Sequence, residues 1–258
     1  MPRTSRRHDH DAGGDAGVLA AKADLRIEVW DALQAPGTWR FPGPDNRIPN
    51  FVGAERAAEL LRGTDEWHAA QTLKANPDSP QLPVRQRALE DGKVVYMAVP
   101  RLAEEKPFFL LDPGRLTVKP RQAASINGAT KHGRTIDVED LEPVDMAVVG
   151  CVAVSSDGAR LGKGGGFSDL EYAVAWEAGL ITAATVVVTT VHEAQVVDDG
   201  RIPVTGHDFR LDLIVTPERV IRCRRGRRRP ASIRWADLTD EKVASIPLLG
   251  RLRQSATS

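Results

Sequence analysis

The feature that most constrains this chain is a glycine-dense segment, residues 160–169, with the sequence RLGKGGGFSD. It follows an apolar run at residues 146–154, which has the length and content of a buried strand. A helix-like pattern begins directly after it, at residues 170–178. Because glycine has no Cβ, backbone N–H groups in a loop between a strand and a helix can converge on an anion. The segment therefore predicts a phosphate-binding site, with a glycine-rich turn bearing solvated charges as the alternative.

The glycine spacing excludes two common phosphate-binding motifs. A P-loop has four residues between its first glycine and the Gly-Lys pair, followed by Ser or Thr. Here only three residues separate Gly158 from Gly162-Lys163, and Gly164 comes next. The dinucleotide-binding fingerprint has its third glycine three positions after the second, whereas Gly162, Gly164 and Gly166 are evenly spaced.

Strand and helix patterns alternate along the rest of the chain. Apolar periodicity predicts helices at residues 21–33 and 82–90, and strands at residues 94–99 and 185–191 in addition to the run at 146–154. Alternation of this kind favours a parallel sheet covered by helices. In such folds ligands bind at the carboxyl ends of the strands, where a glycine loop after a strand is expected to lie.

Composition is ordinary for a soluble globular protein, with 41% hydrophobic and 27% charged residues among 258. The formal net charge is zero, so no overall field favours nucleic acid or a membrane surface. No apolar run is long enough to cross a bilayer, and residues 1–18 are predicted to be a disordered tail. Cys151 and Cys223 lie in contexts too unlike to indicate a disulfide framework. We therefore expect a cytoplasmic protein with a single α/β domain over residues 19–258.

One strong charge cluster is present at residues 222–230, where six arginines occur in RCRRGRRRP. Such a run can bind a phosphate backbone. It lacks the interleaved aromatic residues on which single-stranded nucleic acid stacks. We expect a solvated loop here, and a non-enzymatic nucleic-acid-binding protein remains an alternative interpretation.

The glycine segment resembles the signature of the 5-formyltetrahydrofolate cyclo-ligase (methenyltetrahydrofolate synthetase) family, Arg-Leu-Gly-x-Gly-x-Gly-Tyr-Tyr-Asp after a buried strand. Phe167 and Ser168 stand where the family has two tyrosines. Three more segments match in the same order: KADLR at residues 22–26, GKVVYMAVPR at 92–101, and the element from Gln195 to HDFRLD at 207–212. The resemblance covers residues 22 to about 220 and points to a divergent branch of the family.

The resemblance implies a three-layer α/β/α fold with a mostly parallel open sheet. It also implies an ATP-dependent ligase. In that reaction the formyl oxygen of 5-formyltetrahydrofolate is phosphorylated, nitrogen N10 attacks the activated carbon, and phosphate leaves to give 5,10-methenyltetrahydrofolate. Because this is phosphoryl transfer, the protein mainly positions groups and neutralises charge. The expected ligands are therefore ATP, Mg²⁺ and a folate-like small molecule.

Residue roles follow from the matched motifs. The resemblance implies that the triphosphate is bound by Lys22, Arg26, Arg160, Leu161, Gly162, Lys163, Gly164, Gly165, Gly166, Phe167 and Ser168. Asp169 and Asp208 would hold Mg²⁺, a hard ion that favours carboxylate oxygens. Lys163 and His207 would be catalytic, His207 as a proton donor at the phosphate. Taken from the residues alone, Lys22 and Arg26 could equally form a solvated helix face, and His207 and Asp208 a turn.

The chain departs from the family where the folate would bind. Cyclo-ligases carry a Glu-Val-Asp/Asn-Thr-like element that contacts the folate, whereas residues 74–81 read KANPDSPQ and contain no glutamate. Phe167 keeps a stacking face but lacks the tyrosine hydroxyl. A proline-rich insert at residues 41–51 is foreign to ordinary cyclo-ligases. We therefore expect that the phosphate-binding part of the site is retained and that the pterin-binding part differs from that of ordinary cyclo-ligases. Action on another small molecule is the alternative function.

Overall fold

The structure is a computed structural model that describes residues 11–99, 104–164, 167–205, 208–224, 233, 235 and 238–255. Its helices are α1 Asp11–Ala32, α2 Ala54–Arg62, α3 Asp65–Ala69, α4 Leu82–Glu90, α5 Pro120–Ala123, α6 Ile126–His132, α7 Phe167–Glu177, α8 Asp240–Ala244 and α9 Pro247–Ser255. Its strands are β1 Thr72–Ala75, β2 Val94–Ala98, β3 Phe108–Leu111, β4 Arg134–Ile136, β5 Met146–Val148, β6 Ala153–Ser155, β7 Arg160–Leu161, β8 Val186–Thr190, β9 Val196–Val197, β10 Leu213–Val215 and β11 Val220–Arg222.

The main sheet has eight strands in the order β11-β10-β8-β5-β1-β2-β3-β4. Strands β10, β8, β5, β1 and β2 run parallel to one another, and β11, β3 and β4 add antiparallel edges. The chain runs from β1 to β2 on one side and later returns to place β5 on the other side of β1. In open α/β sheets such a reversal forms a ligand-binding crevice at the carboxyl ends of the two strands, which here are β1 and β5.

Helices cover both faces of this sheet because its central strands are apolar on both sides. Successive residues of a strand point to opposite faces. Accordingly, Ala147 packs in one core cluster with residues of α7 and α9, while Val148 packs in the other with residues of α2 and α4. The predicted three-layer α/β/α architecture with a mostly parallel sheet is confirmed.

The predicted single strand at residues 146–154 is wrong. The Val149 N–H still bonds to the β8 carbonyl of Val188, but the Val152 N–H bonds to Leu161 in a second sheet of order β7-β6-β9. The chain passes from one sheet to the other at Gly150, where a side chain would meet Asp78 and Ile48. Apart from Gly150, the apolar run carries no local signal for such a switch, because both pieces are buried. Arg160 and Leu161, predicted as loop residues, form β7 of the small sheet.

Helix α1 packs Leu25 and Val29 against the small sheet, and Leu33, directly after the helix, joins the same cluster. It begins at Asp11, ten residues before the predicted start. The helix therefore includes residues 11–18, which were predicted from the sequence to be part of a tail.

Candidate active site

The crevice between β1 and β5 opens beside the loop that follows β1, residues 76–78. The Asp78 carboxyl lies against Gly150, so close that a Cβ built on Gly150 would be 2.7 Å from Asp78 Oδ2. Ile48, from the proline-rich insert, lies on the same glycine, 3.0 Å from that position. The insert therefore contributes to the wall of the crevice. Within the described part of the chain, no hydrogen bond or ion pair to the Asp78 carboxyl is present.

Arg160 is the central cation of the glycine segment. Its side chain is buried, its Cζ lies 4.3 Å from the centroid of the Phe209 ring, and its Nη1 donates to Asp169 Oδ1 at 2.5 Å. Burial lowers the pKa of Arg160, but Asp169 and the Cys151 thiol raise it by more, so the guanidinium stays charged. Nε and Nη2 have no hydrogen-bond partner among the described residues. Two buried donors on a permanent cation are well suited to receive anionic oxygens.

The glycine loop is held from the outside by Arg26 of α1. Arg26 Nε donates to the carbonyl oxygen of Gly162 at 2.7 Å. Gly164 has φ of +101°, a conformation that side-chain-bearing residues rarely adopt, and a Cβ there would lie 3.4 Å from Arg26 Cζ. Burial lowers the pKa of Arg26, while Asp169 and Asp208 raise it less. Arg26 therefore lies within electrostatic reach of both predicted metal ligands.

Lys163 lies at the exposed side of the same loop. Burial raises the pKa of the Asp78 carboxyl above its usual value. The positive charge of Lys163 is the largest influence that lowers this pKa. Lys163 of the loop is therefore close enough to influence the Asp78 carboxyl electrostatically. A phosphate bound at the loop would lie next to a ligand bound between β1 and β5.

Lys22 and Asp208 form a nearly buried ion pair, with 2.6 Å between Nζ and Oδ2. The same carboxylate accepts the backbone N–H of Thr205 at 2.6 Å. Burial raises the pKa of Asp208, but the bonds from Lys22 and Thr205 lower it by more. The two predicted metal ligands therefore each carry a cationic partner, Asp208 through Lys22 and Asp169 through Arg160.

The predicted ligands fit the site to different degrees. Gly164 and the free donors of Arg160 suit the phosphates of ATP. The described residues contain no group of three or more His, Cys, Asp or Glu side chains able to enclose a metal. Mg²⁺ usually needs only one or two carboxylates, because waters and substrate phosphates supply its other ligands. Asp169 and Asp208 remain predicted ligands on that basis.

Three buried charged residues near the loop after β1 were not predicted, namely Lys74, Glu171 and Arg85. Lys74 of β1 forms an ion pair with Glu171 of α7, and its Nζ also donates to Asn76 Oδ1 at 3.1 Å. A glutamate does therefore approach the loop after β1, but it comes from the helix behind the glycine loop. Arg85 is likewise fully buried. A lysine inside the apolar strand pattern TLKA was the signal in the sequence, because a charged group in a fully buried strand needs a partner.

Some predicted residues lie outside the described part of the chain. These are Gly165, Gly166, His207 and the arginines at positions 225 and 227–229, and the side chains of Phe167 and Ser168 are also not described. The two described arginines of the basic run both form ion pairs, Arg222 with Glu66 and Arg224 with Asp199. The remaining predicted site residues are brought together around the glycine loop.

An α/β sheet with a strand reversal, flanked by a glycine loop and a buried arginine, defines an α/β protein with a candidate anion-binding site. The family model for the 5-formyltetrahydrofolate cyclo-ligase family matches residues 19–217. The chain therefore belongs to the 5-formyltetrahydrofolate cyclo-ligase family, as its motifs predicted.

Several curated proteins are similar to this chain. Methenyltetrahydrofolate synthase domain-containing proteins are 39% identical in Bos taurus, over 92% of this chain, and 36% identical in Homo sapiens, also over 92%. The chain spans only 63% and 62% of the length of these two relatives. A mitochondrial 5-formyltetrahydrofolate cyclo-ligase from Arabidopsis thaliana is 32% identical over 31% of this chain and 30% of its own length.

Among solved structures, the 5,10-methenyltetrahydrofolate synthetase from Aquifex aeolicus matches 80% of this chain and 94% of its own length. The TM-score is 0.50 at 22% identity, which supports the shared fold. Within the described residues, no helix combines the length and apolar character needed to span a membrane.

Proposed function

We propose that this protein binds ATP with Mg²⁺ at the glycine segment and uses it to convert 5-formyltetrahydrofolate to 5,10-methenyltetrahydrofolate. The observation that carries the proposal is Arg160, a buried cation with two free donors at the start of the glycine loop. A buried guanidinium with unpaired donors is costly unless a ligand completes it. Membership of the cyclo-ligase family makes a triphosphate the natural ligand.

The charged residues around the loop would have different roles in the reaction. ATP supplies the phosphoryl group that turns the formyl oxygen into a leaving group. Arg160 and the exposed Lys163 would neutralise charge that develops on the phosphates, which is the main contribution a protein makes to phosphoryl transfer. Arg26 would hold the loop through Gly162, and Asp169 would bind Mg²⁺. His207 would donate a proton at the phosphate.

The folate-like substrate would occupy the crevice beside Asp78. This position is next to the glycine loop, because Lys163 acts on the Asp78 carboxyl. The Asp78 carboxyl and Ile48 both pack closely on Gly150, so a flat ring would lie against the surface that these two side chains form, with Ile48 as its apolar part. Asp78 would accept hydrogen bonds from ring N–H groups in place of the glutamate that is absent from residues 74–81.

The experiment is a turnover assay with the whole chain, ATP, Mg²⁺ and 5-formyltetrahydrofolate, followed by the absorbance of the methenyl product. We expect product formation that needs both ATP and Mg²⁺ and is abolished in Asp78→Ala. Arg87→Ala is the control, since Arg87 lies on the exposed face of α4 and pairs with Glu59 and Glu90. No product from wild type at millimolar ATP and substrate would contradict the proposal.

One observation favours a second function, ATP-dependent action on another small molecule. The insert residue Ile48 lies in the wall of the crevice, and this insert is foreign to ordinary cyclo-ligases. Calorimetry distinguishes the two functions: Mg²⁺-dependent ATP binding without binding of 5-formyltetrahydrofolate would favour the second one.

A further inference from the structure

The side chain of Arg85 is fully buried, and all of its hydrogen bonds go to backbone carbonyl oxygens. Three belong to consecutive residues of the loop after β1. Nη1 donates to Asn76 at 2.5 Å and to Asp78 at 3.1 Å, and Nη2 donates to Pro77 at 3.3 Å. Nε donates to Ala124, at the end of α5, at 2.9 Å. One guanidinium thus joins the loop to the helical layer.

The rest of the loop backbone is also restrained. The Asn76 N–H donates to Val148 of β5 at 3.0 Å, which extends the β1–β5 pairing by one residue. Pro77 has a fixed φ and no N–H of its own. Lys74 holds the Asn76 side chain at 3.1 Å. Each of these contacts fixes the backbone or a neighbouring side chain, while the Asp78 carboxyl lies against Gly150 and makes no hydrogen bond or ion pair to the described residues.

The geometry points to Arg85 as a positioning residue for substrate binding: by holding three consecutive carbonyl groups, it fixes the direction in which the Asp78 carboxyl enters the crevice. This inference rests on the proposed function, in which Asp78 contacts the folate-like substrate. Arg85 itself does not reach the crevice, so it acts through Asp78. Burial lowers the pKa of Arg85 only to about 10, which keeps its charge at neutral pH.

Lysine cannot take over this role. A guanidinium presents five N–H donors in a rigid planar fork, whereas an ammonium presents three donors at one point. Arg85→Lys keeps the charge but cannot serve Ala124 and the three loop carbonyls together. The loop would then adopt several backbone arrangements, and the Asp78 carboxyl would point correctly in only a fraction of them.

The test is a double-mutant cycle on steady-state kinetics with Arg85→Lys, Asp78→Asn and both together. In the wild-type background we expect Arg85→Lys to raise KM for 5-formyltetrahydrofolate about tenfold, with KM for ATP within about twofold. In the Asp78→Asn background the same change should raise KM for 5-formyltetrahydrofolate by less than about twofold, because the effects of substitutions at two residues are not additive when one residue acts through the other. Arg87→Lys, on the exposed face of the same helix, should leave both constants unchanged.

A role in stability alone gives a different result. Equal effects of Arg85→Lys in both backgrounds, or a lower melting temperature with unchanged KM, would overturn the inference. If Arg85→Lys does not fold, Pro77→Ala is used instead, because it loosens the same loop with Arg85 in place. Its effect on KM for 5-formyltetrahydrofolate should likewise be non-additive with that of Asp78→Asn. Additive effects of these two substitutions would overturn the inference. Absence of turnover by wild type contradicts the proposed function, whereas wild-type turnover with additive effects contradicts only this inference.

Discussion

Lys22 Nζ lies 2.6 Å from Asp208 Oδ2, across 186 positions of sequence, and both side chains are nearly buried. The pair fastens the first helix to the loop after Thr205. Lys22 and Asp208 are the first and the last of the predicted ligand residues along the sequence. The ion pair therefore joins two segments that lie far apart in the sequence.

Replacing Lys22 by methionine should lower the free energy of unfolding by about 3 kcal/mol, because it leaves a largely buried carboxylate without its partner. Asp208 has a folded pKa below its unfolded value of about 3.9. The stabilisation from the pair is therefore present above that pH and is lost as pH falls through the folded pKa. Urea unfolding of both proteins between pH 7 and pH 3 measures this. Asp24→Asn, on the exposed side of α1, should change stability by less than about 0.5 kcal/mol at either pH.

Gly164→Ala should lower the affinity for ATP by at least about tenfold, with a loss of stability of about 1 kcal/mol. The cause is the φ of +101° together with the closeness of Arg26, which places any Cβ on the side of the loop that Arg26 holds. Gly179→Ala is a matched control, because Gly179 also has a positive φ of +73° but lies in open space at the end of α7. Calorimetric titration with ATP and thermal melting separate the two effects. Equal ATP affinities in the two variants would show that the loop does not approach a phosphate.

Asp169→Asn distinguishes a metal ligand from a structural counter-ion. As the partner of Arg160, Asp169 should contribute about 2 kcal/mol to stability, a reduced value because its side chain is 29% exposed. As a Mg²⁺ ligand it should also account for the stimulation of ATP binding by Mg²⁺, so this stimulation should disappear while metal-free binding persists. Asp157→Asn is the control, since Asp157 pairs with Arg210 at a similar exposure of 31% outside the loop. If Asp169→Asn is destabilised but Mg²⁺ still stimulates its ATP binding fully, then Asp169 is only a counter-ion of Arg160.

Neither cysteine should react with iodoacetamide at pH 8 in the folded protein. Burial raises the pKa of the Cys151 thiol, and burial together with Asp157 and Asp199 raises the pKa of Cys223 to about 12. The thiolate is the reacting form, so its population at pH 8 is small. Mass spectrometry should find no adduct after native treatment and two adducts per chain in urea. Native labelling of Cys223 at the rate seen in urea would mean that its surroundings differ from those described.

The sequence alone predicted the features that depend on local patterns. Helix α4 begins and ends at the predicted residues, 82 and 90, because Pro83 suits the first turn of a helix and the apolar spacing continues to the end. The β-branched run of β8 was placed within one residue at each end. The family motifs also grouped Arg26 with the glycine segment, and Arg26 does donate to the carbonyl oxygen of Gly162.

The tertiary structure decided what depends on contacts distant in sequence. The run at 146–154 is divided between two sheets because β5 pairs with β1 and β8 while Val152 pairs with Leu161, and its apolar residues fit either sheet equally well. The partners of Lys74 and Arg85 followed from the order of strands and helices, which no residue pattern encodes. Charge pairs across such distances form only when the fold brings them together, since a buried charge without a partner is too costly to persist. The sequence thus determined the glycine loop and the helix after it, and the packing determined which buried charges lie near the loop after β1.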